Sequence, residues 1–162
     1  MTARSRSESD GPPDAGGAAA ARRREIVTRR VLGAAPERAF RAWIEPGQLR
    51  RWWGPEGFTS TFQVFDPRPG GAWSLVLHGP DGTDYPDRFR FDEVVPAELI
   101  ILEHLSGPRF QLTASFRERD GHTLLALEML FESAAECARA QARVTEANRQ
   151  MLDRLEAVLA EE

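Results

Sequence analysis

Three histidines, one cysteine and a run of charges near residue 88 are the groups in this chain that could do chemistry. His78 and His104 fall in segments with strand-like alternation, and His122 follows a turn. Glu103 adjoins His104, but neighbours on a strand point to opposite faces, so the two cannot easily ligate one ion. A metal site needs at least three ligands converging from separate strands. No such set can be assembled, so neither a metal nor a cofactor is expected. His104 or His78 is better suited to a polar anchor for a ligand; the plainer reading is a surface histidine or one satisfied in the core. Cys137 lies near a helix start, where the dipole could lower its pKa. It also lies on an apolar stripe with no assured histidine beside it, and buried cysteines are usually inert.

Asp84, Asp87, Arg88, Arg90 and Asp92 cluster around one strand. Alternation places Arg88, Arg90 and Asp92 opposite Phe89 and Phe91, which describes a solvated outer face. The block Trp52-Trp53-Gly54-Pro55 has two readings. One tryptophan could cover a cavity mouth and hold a ligand oxygen with its indole N–H; alternatively, both pack short helices onto the sheet. Arg68 sits in Asp66-Pro67-Arg68-Pro69-Gly70-Gly71. An anion loop is conceivable there, but a tight hairpin with Arg68 paired to a carboxylate explains the same residues. No phosphate-binding loop or nucleophile elbow appears, and catalysis is not expected.

The elements that must position these groups follow from periodicity. Residues 1–24 hold Ser, Gly, Ala, Pro and charges, with no large apolar residue after Met1, and read as a disordered tail. The folded domain is expected over 25–162. Ile26 to Leu32 reads as a strand. Pro36 and Glu37 suit a helix start, and Phe40 with Ile44, beside Ala39 with Trp43, give the apolar i,i+4 pairs. Pro46 separates a second short helix, about 47–53. From Phe58 the period becomes two. Phe58, Ser60, Phe62 and Val64 share one face of a strand, and Trp73, Leu75 and Leu77 share one face of the next. Turn signals at 66–71, 80–82 and 120–121 imply a meander of hairpins. Further strands carry Phe89 and Phe91, Leu99 to Leu105, Phe110 to Phe116, and Leu125 to Phe131.

Ser133 and Glu136 form a capping box, and no Gly or Pro interrupts the chain beyond them. Cys137, Ala140, Val144, Ala147, Met151, Leu155 and Val158 recur at helical spacing. The first half of this stripe is small and the second bulky, so space remains beneath the alanines unless aromatics fill it. Seven strands without βαβ crossovers exclude a doubly wound sheet. The expected fold is α+β: a curved antiparallel sheet wrapped round a long C-terminal helix, with two short helices after the first strand.

The chain has 162 residues, enough for one core. A formal net charge of -4 gives no reason to expect nucleic acid. All 21 basic residues are arginine. No apolar run approaches the roughly 18 residues that would span a bilayer, no secretory signal is visible, and one cysteine excludes an internal disulfide. A cytoplasmic location without membrane insertion is expected.

Ala35-Pro36-Glu37-Arg38-Ala39-Phe40-Arg41-Ala42-Trp43 followed by Trp52-Trp53-Gly54-Pro55 resembles the start of the activator of heat-shock-protein-90 ATPase homologue-like family. Asp66 to Trp73, Gly79 to Thr83 and Asn148 to Leu155 resemble later blocks, although the Gly usual before the last block is replaced. The resemblance covers about 26 to the C-terminus. It implies the START-like (SRPBCC) helix-grip fold, shared with the birch-pollen allergen, and a hydrophobic cavity between sheet and helix. Such folds serve many functions.

The leading expectation is non-catalytic binding of a small hydrophobic molecule. Its site would comprise Trp53, Phe62, Trp73, Leu75, Phe91, His104, Leu112, Leu127, Val144 and Met151. The alternatives are a co-chaperone-like regulator of a heat-shock-protein-90-type ATPase, and a cyclase or dehydratase, which would need an acid–base pair inside the cavity. Sheet edges and exposed tryptophans would also suit a homodimer.

Overall fold

The computed structural model describes residues 15–161. Its elements run α1 (Ala15–Arg23), β1 (Glu25–Leu32), α2 (Pro36–Ile44), α3 (Pro46–Trp52), β2 (Thr59–Phe65), β3 (Ala72–His78), β4 (Asp84–Val95), β5 (Leu99–His104), β6 (Phe110–Arg119), β7 (His122–Phe131) and α4 (Ala134–Leu159). The strands form one sheet in the order β1-β7-β6-β5-β4-β3-β2, and every neighbouring pair is antiparallel. The helix-grip expectation is met: the long α4 packs on this sheet.

Local chemistry explains the helices. α2 and α3 each open on a proline, whose missing N–H would be an orphan donor at that position. α2 buries Pro36, Ala39, Phe40 and Trp43 at spacings of three and four. Ser133 caps α4, its Oγ accepting from the Glu136 N–H at 3.1 Å. The reciprocal half of the expected box is not made, because Glu136 Oε1 is buried without a partner. Arg154 of α4 closes the end of α3, where Gly54 takes a positive φ of 103° just after the cap. Its guanidinium donates to the carbonyls of Arg51, Gly54 and Pro55, each at 2.9 Å.

The structure departs from the alternation at two bulges. In β2 the register shifts between Phe62 and Val64. Val64 is therefore 49% exposed, and Phe65 packs on the core in its place. A second shift, between Phe91 and Glu93 in β4, brings Val94 to the core. One extra residue reverses the facing of everything beyond it and bends the strand.

The disorder expected through residue 24 does not extend over 15–23, which form α1. Alanine loses little entropy on entering a helix, and small methyls at Ala19 and Ala20 become half-buried. Just beyond, Arg24 donates to the Phe131 carbonyl at 3.1 Å. The expectation for residues 1–14 lies outside the described residues.

All four tryptophans are buried, so exposed indoles give no support to a dimer. Trp73 stacks on Phe89 at 5.0 Å and meets Phe62 at 5.4 Å and Phe65 at 5.7 Å. Trp53 lies 4.9 Å from Trp73 and 5.9 Å from Trp43. The Trp52 indole donates to the Ala42 carbonyl at 3.0 Å. Trp52 thus packs α3 onto α2.

Candidate ligand cavity

Beneath the middle of α4 the interior is not filled. A cavity of about 230 Å³ lies between α4 and β4 to β7. Leu112 of β6 and Leu127, Met129 and Phe131 of β7 form its apolar floor; Phe89 and Phe110 add aromatic walls. Val144, Ala147, Asn148 and Met151 form the roof, Trp53 and Gly54 close one end, and Arg143 stands at the border. The cause is local. Over the centre of the cavity α4 presents the small side chains Val144 and Ala147, flanked by Asn148 and Met151, and its larger Leu152 and Leu155 are buried outside the lining.

One polar cluster reaches the cavity. His104 is buried at 6% exposure. Its Nδ1 meets the Pro108 carbonyl at 2.6 Å. A carbonyl only accepts, so Nδ1 carries hydrogen. Its Nε2 faces Asp87 Oδ1, and the Ser106 hydroxyl donates to the same oxygen at 2.8 Å. The Arg88 N–H donates to Ser106 Oγ at 3.2 Å. The imidazole is sandwiched as well: Phe110 stacks on it at 4.4 Å, and Phe89 lies 4.9 Å away. Both ring nitrogens are therefore committed, and the ring is held on two sides. On the roof, Asn148 Nδ2 donates to Thr28 Oγ1 at 3.2 Å.

Of the ten residues expected from sequence, Trp53, His104, Leu112, Leu127, Val144 and Met151 border the cavity. Phe62, Trp73, Leu75 and Phe91 do not. They point into the same interior, but at the end where rings interlock; Trp73 and Phe91 are 1% exposed, and Leu75 is fully buried. Asp87 was assigned with the solvated charges, yet it borders the cavity. Its parity with Phe89 and Phe91 carried that signal. Asn148 falls one turn after Val144 on the apolar stripe, which likewise marked it. Pro108 sits on a loop and Arg143 beside the stripe, and neither carried a periodic signal.

The other candidates lie elsewhere. His78 is half-exposed, between Thr61 Oγ1 and Asp84 Oδ1, each at 2.8 Å. Arg68 pairs with Asp66 at 2.9 Å within its own hairpin. Burial pushes the Cys137 thiol pKa up, with the Glu25 carboxylate adding to the shift. Among the described residues no group of three or more His, Cys, Asp and Glu could hold a metal ion. No helix among them is long and apolar enough to cross a membrane.

A long helix laid across a seven-stranded antiparallel sheet, with a cavity between them, defines a helix-grip domain. Residues 33–160 match the family described as Activator of Hsp90 ATPase homolog 1-like protein, and the chain belongs to that family. Solved structures agree on the fold. A protein from Arthrobacter aurescens has a TM-score of 0.81 at 21% identity, covering 88% of this chain and 89% of the other. One from Rhodobacter sphaeroides has a TM-score of 0.76 at 26% identity, covering 86% and 93%. The AHSA1 protein from Silicibacter pomeroyi has a TM-score of 0.70 at 22% identity, covering 84% and 97%. No curated protein matches the chain.

Proposed function

We propose that the domain binds a small, largely apolar molecule in the cavity beneath α4, without transforming it. The observation that carries this reading is about 230 Å³ of space walled by leucine, methionine, valine and phenylalanine side chains. Apolar walls with a few convergent polar groups are the usual composition of a ligand site. The volume is below the roughly 300–1,000 Å³ typical of drug-sized ligands. That size suits a short chain or a single substituted ring.

A second reading, a cyclase or dehydratase, is favoured by one observation: His104 and Asp87 are titratable and border the cavity. Against it, both nitrogens of His104 are occupied by Pro108 and Asp87. A ligand proton could pass to the imidazole only after one of those bonds broke.

The test is extraction and mass spectrometry of small molecules co-purified from the native host, followed by titration with hydrophobic fluorophores. Saturable binding of one ligand class, recovered unchanged after incubation, is expected. No saturable binding would sink the reading, and turnover would replace it with the second.

A further inference from the structure

The charges around the cavity are not balanced. Arg143 borders it and is exposed, and among the described residues no carboxylate pairs with it. Other cations nearby are engaged: Arg109 pairs with Glu103 at 3.5 Å, and Arg149 pairs with Glu146 and Asp153. Arg139, one turn earlier on α4, is also exposed and has no such pair among the described residues. Positions four apart lie on the same helix face, so its charge adds to that of Arg143. Among the described residues the one carboxylate bordering the cavity, Asp87, accepts from Ser106 and faces His104. Asp87 is thus engaged by two neighbours, and among the described residues the charge left unpaired at the cavity is that of Arg143.

We propose that the ligand is an anionic amphiphile: a short apolar body under α4 with a carboxylate-type head held at the border by Arg143. This rests on the cavity being a ligand site at all, and adds the charge of the occupant. The head stays at the rim, where water still reaches it, so the ligand does not bear the full cost of burying a charge. A planar guanidinium offers two parallel N–H donors to a carboxylate, stronger than a neutral pair. A free phosphate without an apolar body would gain only the rim contact.

The test uses three probes of equal chain length, octanoate, octanol and octylamine, titrated calorimetrically into the full chain at low salt. Octanoate is expected to bind about tenfold tighter than octanol, the size of one charged hydrogen bond, and octylamine more weakly than either. Arg143→Gln should bring the octanoate-to-octanol affinity ratio to about one, and Arg143→Lys should restore part of it. Added salt should narrow the gap. Equal octanoate and octanol affinities, or a preference that survives Arg143→Gln, would overturn the inference but leave apolar binding standing. Tightest binding of octylamine would assign the head to Asp87 and overturn it equally. If no probe binds, both this inference and the binding reading fail.

Discussion

At the β2 to β4 end of the interior, Trp73 is 1% exposed and lies within 6 Å of Phe62, Phe65, Phe89 and Trp53. At the β5 to β7 end, under Val144 and Ala147, about 230 Å³ is open. Both ends have apolar side chains from the one sheet and share Phe89. They differ in what comes down from the other side. Trp53, just after α3, enters the first end as a large rigid plate against Trp73 and Phe89, whereas the middle of α4 sends the small Val144 and Ala147 into the second. A uniformly apolar interior can thus be solid in one half and hollow in the other, decided by a few side-chain volumes. Dense packing is the norm in protein interiors, so an unfilled half is the feature that calls for a function.

Truncation should separate the two ends most clearly. Trp73→Ala removes a plate from the filled end and should cost about 3–5 kcal/mol, read as a lower urea midpoint. Leu127→Ala, at the cavity floor, should cost nearer 2 kcal/mol, the low end for such changes, because that side chain already lacks neighbours on one side. Equal losses would erase the distinction. Arg154→Ala tests how the Trp53 end is held. It frees the carbonyls of Arg51, Gly54 and Pro55 and should cost about 1–3 kcal/mol. Probe affinity should fall with it, since Trp53 and Gly54 border the cavity. A stability loss with unchanged affinity would detach the α3 end from the site.

Sequence reasoning reached the succession of strands and the long final helix, because both rest on strong local signals, and left the space beneath α4 either open or filled by aromatics. Period-two runs, turn residues and a capped helix define the sheet and α4. The hairpin at 66–71 is a case where steric demand is absolute: a Cβ on Gly71 would lie 1.9 Å from the Asp66 carbonyl oxygen. Of the two alanines that raised the question of missing volume, Ala147 borders the cavity and Ala140 does not. What stayed illegible depends on cross-strand geometry. A bulge has no compositional mark, so Val64 and Phe65 exchanged places unannounced. The cluster of His104, Asp87 and Ser106 arises because Phe89 pairs with His104. That register sets Asp87 diagonally across from the imidazole, within reach of a long side chain. Four aromatic or aliphatic residues were placed in the site because facing inward is readable from alternation, while position along the interior is not. The helix at 15–23 was missed because alanine methyls were not counted as buryable surface.

The most direct measurement is the affinity of a neutral fluorophore such as 1-aminoanthracene for Ala147→Phe, with urea denaturation run in parallel. A phenyl ring at 147 should occupy the space beneath α4. The account predicts at least about a tenfold loss of affinity, with stability kept or raised by about 0.5–2 kcal/mol, as for other cavity-filling changes. Undiminished affinity, or a loss of about 1–3 kcal/mol of the kind that overpacking a full core produces, would contradict it.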